Sequence, residues 1–334
     1  MEKIALVVTT ISKPNDVLKS LAQGCISHGW DFVIAGDISS PKEFVLPGSD
    51  YYSLDRQMAT DFSCAKTCLT KHYARKNVGY LIAIEKGAKI IVETDDDNFP
   101  EQGFWQVRQK VRNADVLQHT GWVNIYKHFS DQNIWPRGLP LPYIHFFPVQ
   151  HKAVFAARHC PIQQGLANKN PDVDAIYRLV LPLPFDFKGG CDIALGMEAW
   201  TPFNSQNTTW WPAAFPLLYL PSYCSFRMTD IWRSLVAQRI AWANGWSVLF
   251  HNPTVYQERN VHNLMKDFTD EISGYLQTEN IQKILSSIEI KGGVEHIPDA
   301  MRSAYGHLVE NKIIDAKEME ALESWLQDIN RLMK

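Results

Sequence analysis

The sequence has no marked excess of either charge: 33 Lys and Arg stand against 36 Asp and Glu, a formal net charge of −3. A dedicated nucleic-acid binder needs a basic surplus to displace counterions from phosphates, so that class is excluded. Long apolar runs are also missing. The longest charge-free stretch, Ala199–Phe226, is broken by Pro202, Pro212, Pro216 and Pro221, which excludes a spanning helix. The opening MEKIALVVTT has one lysine and a short apolar run, too little for a secretion signal, and reads as a buried first strand. The six cysteines are scattered without a CxxC pair. Cys64 and Cys68 can share a helix face, but no second pair completes a zinc site, so free thiols in a reducing compartment are expected. These features point to a cytoplasmic chain, peripheral at most at the inner membrane face. Neither GxGxxG after the first strand nor GxxxxGK[ST] occurs, which removes the dinucleotide fingerprint and the P-loop.

Short apolar runs alternate with amphipathic segments in the first hundred residues. Ile4–Thr9, Trp30–Ala35 and Lys89–Glu93 read as strands, Asn15–Gln23 and Ala74–Lys86 as helices. That alternation predicts βαβ units and an α/β fold with a mostly parallel central sheet. From Phe99 to Tyr223, Pro, Trp, Tyr and Asn are dense and helical periodicity fades, which predicts a loop-rich, aromatic-walled half shaping a pocket. Thr229–Trp246 is helical again and Trp246–Phe250 a strand. Near the C-terminus Asp315 and Glu318 form a capping box, Ile314 and Met319 a staple, and Met319, Leu322, Leu326, Ile329 and Met333 one apolar face. That tail is assigned to packing or to homo-oligomer formation. The expected organisation is 1–98 and 99–265 as two halves of one domain, with 266–334 a helical extension.

The sharpest local feature is Glu93-Thr94-Asp95-Asp96-Asp97-Asn98, directly after the strand Ile90–Val92. Three adjacent carboxylates repel one another. In a solvated loop water relieves that; at a strand's C-terminal end beside a crevice they can hold a divalent cation. Mg²⁺ or Mn²⁺ would take Asp95 and Asp97 with diphosphate oxygens and neutralise a nucleoside-diphosphate leaving group.

Several motifs carry a resemblance. Arg75-Lys76-Asn77-Val78-Gly79-Tyr80-Leu81-Ile82-Ala83-Ile84 precedes the triplet. Trp135-Pro136-Arg137-Gly138-Leu139-Pro140-Leu141, Pro171–Leu179, Asn204–Thr208 and Thr229–Arg233 follow in the same order. Across residues 5–265 the chain resembles the STELLO family of glycosyltransferase-like proteins and, more distantly, the reversibly glycosylated polypeptides. The resemblance implies a GT-A fold and a nucleoside-diphosphate-sugar ligand, a UDP-sugar first. A transferase acting on a glycan or lipid-linked glycan follows, with a nucleotide-sugar mutase or a non-catalytic partner protein as the alternatives.

In a GT-A sheet the donor lies over the C-terminal ends of the first strands. Thr9 and Thr10 can then bond base or ribose, and Asp37 can accept from the base. Arg75, Lys76 and Asn77 open a helix whose N-terminal dipole suits phosphate, or form a solvated helix end. Asp95 faces ribose or metal, Asp96 the nucleotide sugar, and Asp97 metal. For the acceptor base Asp230 is the candidate, with a helix cap as the other reading; Gln238–Trp242 after it resembles the QxxRW element of processive GT-A enzymes. Asp172, Asp174 and Arg178 either bind sugar hydroxyls or form a structural ion pair. Asn204, Gln206 and Asn207 among tryptophans suit a carbohydrate surface, with indole packing in the core as the alternative. His251, and after it His262, is placed to be a third metal ligand or simply structural.

Overall fold

The computed structural model describes residues 2–106, 108–145, 154–258 and 263–334. The first part gives β1 (Ile4–Thr9), α1 (Asp16–His28), β2 (Asp31–Ala35), β3 (Asp50–Tyr52), α2 (Leu54–Met58), α3 (Ser63–Thr67), α4 (Lys76–Glu85) and β4 (Ile90–Thr94). The middle adds β5 (Asn98–Pro100), β6 (Val111–Leu117), β7 (Gly121–Trp122), β8 (Val154–His159), β9 (Ile162–Asn168), α5 (Ala175–Val180), β10 (Ile193–Leu195), β11 (Ala199–Trp200) and β12 (Asn207–Trp210). The remainder is α6 (Thr229–Ala243), β13 (Val248–Gln257), α7 (Leu264–Ser287), α8 (Ile297–Glu310) and α9 (Glu318–Leu332).

The main sheet runs β3-β2-β1-β4-β12-β9-β13-β10-β6-β8, with β5 added on β13. The first four strands are mutually parallel. β12 then joins β4 antiparallel, and parallel and antiparallel pairs alternate beyond it. Strand alternation sorts the core. Leu6, Val8, Phe32, Ile34, Ile90 and Val92 face α1, whose Val17, Leu18 and Leu21 complete that cluster. Ala5, Val7, Val33 and Ile91 face α4 on the other side. Gly79 lets α4 sit this close: a Cβ there would lie 2.8 Å from Val7 Cγ1. Because α1 and α4 cover opposite faces, the chain leaves a crevice over the C-terminal ends of β1, β2 and β4, where open α/β sheets bind ligands.

Other details differ from what the sequence suggests. Phe99–Tyr223 is not built only of loops; it supplies β6, β8, β9, β10 and β12 to the main sheet. Its tryptophans do not wall a pocket, since Trp200, Trp210 and Trp211 are buried core residues. The capping box at α9 does not form: the Glu318 carboxylate turns inward and accepts hydrogen bonds from Tyr219 Oη and from the backbone N–H groups of Ser222 and Tyr223. α9 packs on α3, α4 and α8, so its apolar face, from Leu322 to Ile329, closes the core. Among the described residues no helix is long and apolar enough to cross a membrane.

Candidate active site

A cavity of about 590 Å³ opens at the crevice. Its floor is made by strand ends: Thr9 and Thr10 after β1, Asp37 after β2, and Asp95–Asp97 after β4. The opposite wall carries Arg137, Asp172, Arg227 and Asp230, and the segment before α4 adds Lys71, His72 and Tyr73. Six carboxylates face four cations around one space.

Local bonds hold the acidic turn in place. Asn15 caps α1 by accepting from Leu18 N–H at 2.8 Å, and its amide donates to Asp96 O at 2.8 Å. Thr10 Oγ1 donates to the Asp96 carboxylate. Lys76 Nζ donates to Asp95 Oδ1 at 2.8 Å and to Thr94 O at 2.9 Å. Gln257 Nε2 donates to Asp97 Oδ2 at 2.9 Å. Burial raises the carboxyl pKa of Asp95 and of Asp96 above the ordinary range, opposed at Asp95 by Lys76 and at Asp96 by the Thr10 bond. Partly desolvated carboxylates with raised pKa fit a group that brings positive charge.

The opposite wall is organised by Arg137. Its Nε and Nη2 donate to Asp172 at 2.8 Å each, and its Nη1 and Nη2 donate to Asp230 at 3.1 and 3.0 Å. Gly138, at φ +86°, turns the chain so that Arg137 reaches inward; a Cβ there would meet Ile231 Cγ2 at 2.3 Å. Asp230 sits in the first turn of α6, accepts from Ser205 N–H at 3.2 Å, and is not the cap, which falls on Met228. Burial alone would raise its pKa; Arg137 overrides this and holds the carboxyl at about 2. In this arrangement Asp230 is a weak proton acceptor.

Of the residues singled out from the sequence, the cavity brings together Thr9, Thr10, Asp37, Arg75, Asp95, Asp96, Asp97, Asp172, Gln206 and Asp230. Several of the singled-out residues stand elsewhere or are engaged differently from expectation. Arg75 and Lys76 are not a solvated helix end; both are buried, and Arg75 donates to Gln57 Oε1 and to the carbonyls of Ala65 and Cys68. Asn77 clamps the Leu220 backbone, donating to its carbonyl and accepting its N–H, both at 2.9 Å. Asp174 caps α5 and takes the Trp135 indole N–H, so it does not share a strand face with Asp172. Arg178 donates to Pro171 O, and the ion pair of Asp172 is with Arg137 instead. Asn204 and Asn207 are buried in backbone bonding. Gln238 and Arg239 bond Thr201, Ser234, Leu285 and Ile288, and Trp242 packs on Trp200, so this element stays outside the cavity. His251 is also remote from the triplet; its Nδ1–H donates to Asn252 O, and burial with Arg108 nearby pushes its pKa down to about 3. His262 lies outside the described residues. Among the described residues no group of three or more His, Cys, Asp or Glu side chains is arranged to hold a metal by protein ligands alone.

Arg137, Lys71, His72, Tyr73, Phe226, Arg227 and Gln257 are among the cavity residues that role assignment from the sequence missed. Lys71, a non-glycine at φ +55°, marks the turn that aims the 71–73 segment, but nothing in a single sequence signals it.

A Rossmann-like sheet with an acidic turn at the end of β4 and a polar cavity over its strand ends is a GT-A-like fold. Residues 227–333 match the family model of the STELLO glycosyltransferases. The chain is similar to "Probable glycosyltransferase STELLO2" of Arabidopsis thaliana, 31% identical over 303 residues, covering 84% of this chain and 39% of the relative. It is also similar to "Probable glycosyltransferase STELLO1" of the same plant, 31% identical over 275 residues, covering 75% and 35%. The chain is thus similar to the STELLO glycosyltransferases over most of its length, and it spans less than two fifths of the length of these curated relatives.

Proposed function

We propose that the chain is a metal-dependent glycosyltransferase that takes a nucleoside-diphosphate sugar, a UDP-sugar first, and transfers the sugar to a glycan or lipid-linked acceptor. The observation that carries this reading is the acidic turn Asp95–Asp97 sharing one cavity with Lys71, Arg137 and Arg227. An activated sugar needs its two phosphates neutralised as the glycosidic bond to the diphosphate breaks. Asp95 and Asp97 would hold Mn²⁺ or Mg²⁺, which prefers a few carboxylates supplemented by phosphate oxygens and water. That preference suits a site where, among the described residues, no three His, Cys, Asp or Glu side chains are arranged to hold the ion alone. The ion supplies Lewis-acid stabilisation of the departing diphosphate.

The chain's own residues have separate tasks. Thr9, Thr10 and Asp37 line the strand ends where base and ribose would lie. Lys76 neutralises Asp95 from behind the turn. Arg137 fixes Asp172 and Asp230 in place, so that these carboxylates orient hydroxyl groups of donor or acceptor. The acceptor proton must then pass to a group other than an Arg137-paired Asp230, unless binding breaks that pair.

Thermal unfolding with UDP, GDP and CMP, each with and without Mn²⁺, tests the reading. Stabilisation by one nucleoside diphosphate that requires Mn²⁺ supports it; no shift with any nucleotide overturns it. Incubation with the UDP-sugar alone separates the alternatives. A mutase returns an isomeric UDP-sugar without any acceptor.

A further inference from the structure

His72 stands at the cavity wall just before α4. Its Nδ1 accepts the Ala74 backbone N–H at 3.1 Å, which leaves the ring proton on Nε2. Burial pushes the imidazole pKa down to about 4, so the ring is neutral at physiological pH. The Nε2 atom is buried and has no hydrogen-bond partner. A buried donor without an acceptor is rare and unfavourable, and a missing ligand is one of its standard explanations. The surroundings narrow the ligand. The imidazole stacks on Tyr73, with ring centroids 5.7 Å apart and planes within 7°. Phe226 packs edge-wise on both rings, at 5.2 and 5.0 Å, and is itself 46% exposed. This half-exposed phenyl lines the cavity beside the imidazole and provides an aromatic surface there. Asp37, the neighbouring carboxylate, is already engaged by the N–H groups of Ile38 and His72. Phosphate would go to Lys71, Arg137 and Arg227 on the same cavity. What remains for a neutral N–H donor beside aromatic rings is a carbonyl on a planar heterocycle.

We propose that His72 is a specificity-determining residue that donates through Nε2–H to the 4-keto oxygen of a uracil base, with Phe226 moving aside to cover the base. The proposal rests on the nucleotide-sugar reading above and deepens it. Cytosine carries an amine at the same position; facing the His72 N–H it would set donor against donor. A cavity of about 590 Å³ that must also take ribose, diphosphate and sugar favours a single-ring base over guanine.

Calorimetric titration of the full chain with UDP, CDP and GDP in the presence of Mn²⁺ provides the test. The wild-type protein should prefer UDP over CDP by about ten-fold, the magnitude of one hydrogen bond made or opposed. His72→Asn keeps an acceptor for the Ala74 N–H while deleting the distal donor, and should bring the two affinities within about two-fold. His72→Gln restores an amide near the Nε2 position and should recover part of the preference. Unfolding midpoints of both variants report whether the cap survives. UDP binding with the preference unchanged in His72→Asn overturns this proposal and leaves the glycosyltransferase reading standing. Tighter binding of CDP or GDP than of UDP overturns the uracil assignment. Absence of binding by all three nucleotides overturns both readings.

Discussion

At the scale of single residues, charge burial decides most of the site. Arg137 serves two carboxylates at once, and all three residues are buried. Removing one member of a buried ionic cluster costs about 3–5 kcal/mol, because the partners are left without compensation. Arg137→Met should therefore lower unfolding stability by that order at pH 7, measured by urea denaturation. The pH dependence follows from Asp230, whose folded pKa of about 2 lies below the unfolded value. A depressed carboxyl pKa contributes stability above the unfolded pKa, and this is lost as pH falls through the folded one. Wild-type stability should thus drop by roughly 2 kcal/mol on this account between about pH 4 and pH 2. Asp230→Asn should flatten that limb of the curve. Asp95 and Asp96 behave in the opposite sense. Asp95 and Asp96 have raised pKa values from burial, so their charge opposes folding. Asp97→Asn should leave the apo protein about as stable as before, and both Asp97→Asn and Asp95→Asn should reduce the Mn²⁺-dependent affinity for UDP by more than ten-fold. Equal UDP affinity with and without Mn²⁺ in the wild type would remove the metal from this account.

At the scale of elements, β1, β2, β4, α1, α4 and α6 were legible, whereas the sheet strands between Phe99 and Tyr223 and the turned side chains were not. β1 agrees with its apolar run end for end, and α1, α4 and α6 agree with their periodicities to within a few residues. Those segments follow from local pattern, because burying one face requires one spacing. The triplet's location after β4 was equally legible, since a strand end and three aspartates are both visible in sequence. What could not be read is which groups outside its own element a side chain takes as partners. Glu318 illustrates this: three residues after Asp315, it satisfies the capping-box pattern, yet it accepts bonds from the 219–223 segment instead. Desolvation raises its carboxyl pKa, and only these donors offset that. Asn77 and Arg75 show the same thing at the start of α4, where buried backbone carbonyls, not phosphate, claim the side chains. Gly138 gives an element-scale test. At φ +86°, with Ile231 in the path of any Cβ, Gly138→Ala must push the 135–141 segment away from α6. A loss of at least 1–3 kcal/mol is expected from backbone strain and overpacking. The same variant should weaken nucleotide binding, because Arg137 is the next residue along.

At the scale of the whole molecule, the question is whether residues 266–334 are an appendage or part of one folding unit. The packing argues for the second. Ile281, Leu285, Leu308, Trp325, Leu326 and Ile329 belong to the same buried cluster as Val7, Leu81 and Ile91 beside the central sheet. Polar bonds cross the same boundary: the Asp328 carboxylate accepts the Cys64 N–H at 2.8 Å, and the Trp325 indole donates to Pro216 O at 2.9 Å. Glu271 accepts from Arg227 and from the Ala175 N–H, linking α7 to both the cavity wall and α5. Deleting 266–334 uncovers α3, α4 and α6 together, a patch far larger than soluble monomers leave exposed. A chain ending at residue 265 should accordingly fail to unfold cooperatively. It should also bind hydrophobic dyes and lack the near-UV dichroism of packed aromatics. A sharp thermal transition in that fragment, with native near-UV dichroism, would instead make the helical segment a separable extension. The cavity would then owe nothing to α7 beyond the Arg227–Glu271 pair. Cooperative loss is the expected result, because the helices that close the core also hold Arg227 where it faces Asp95–Asp97 across the cavity.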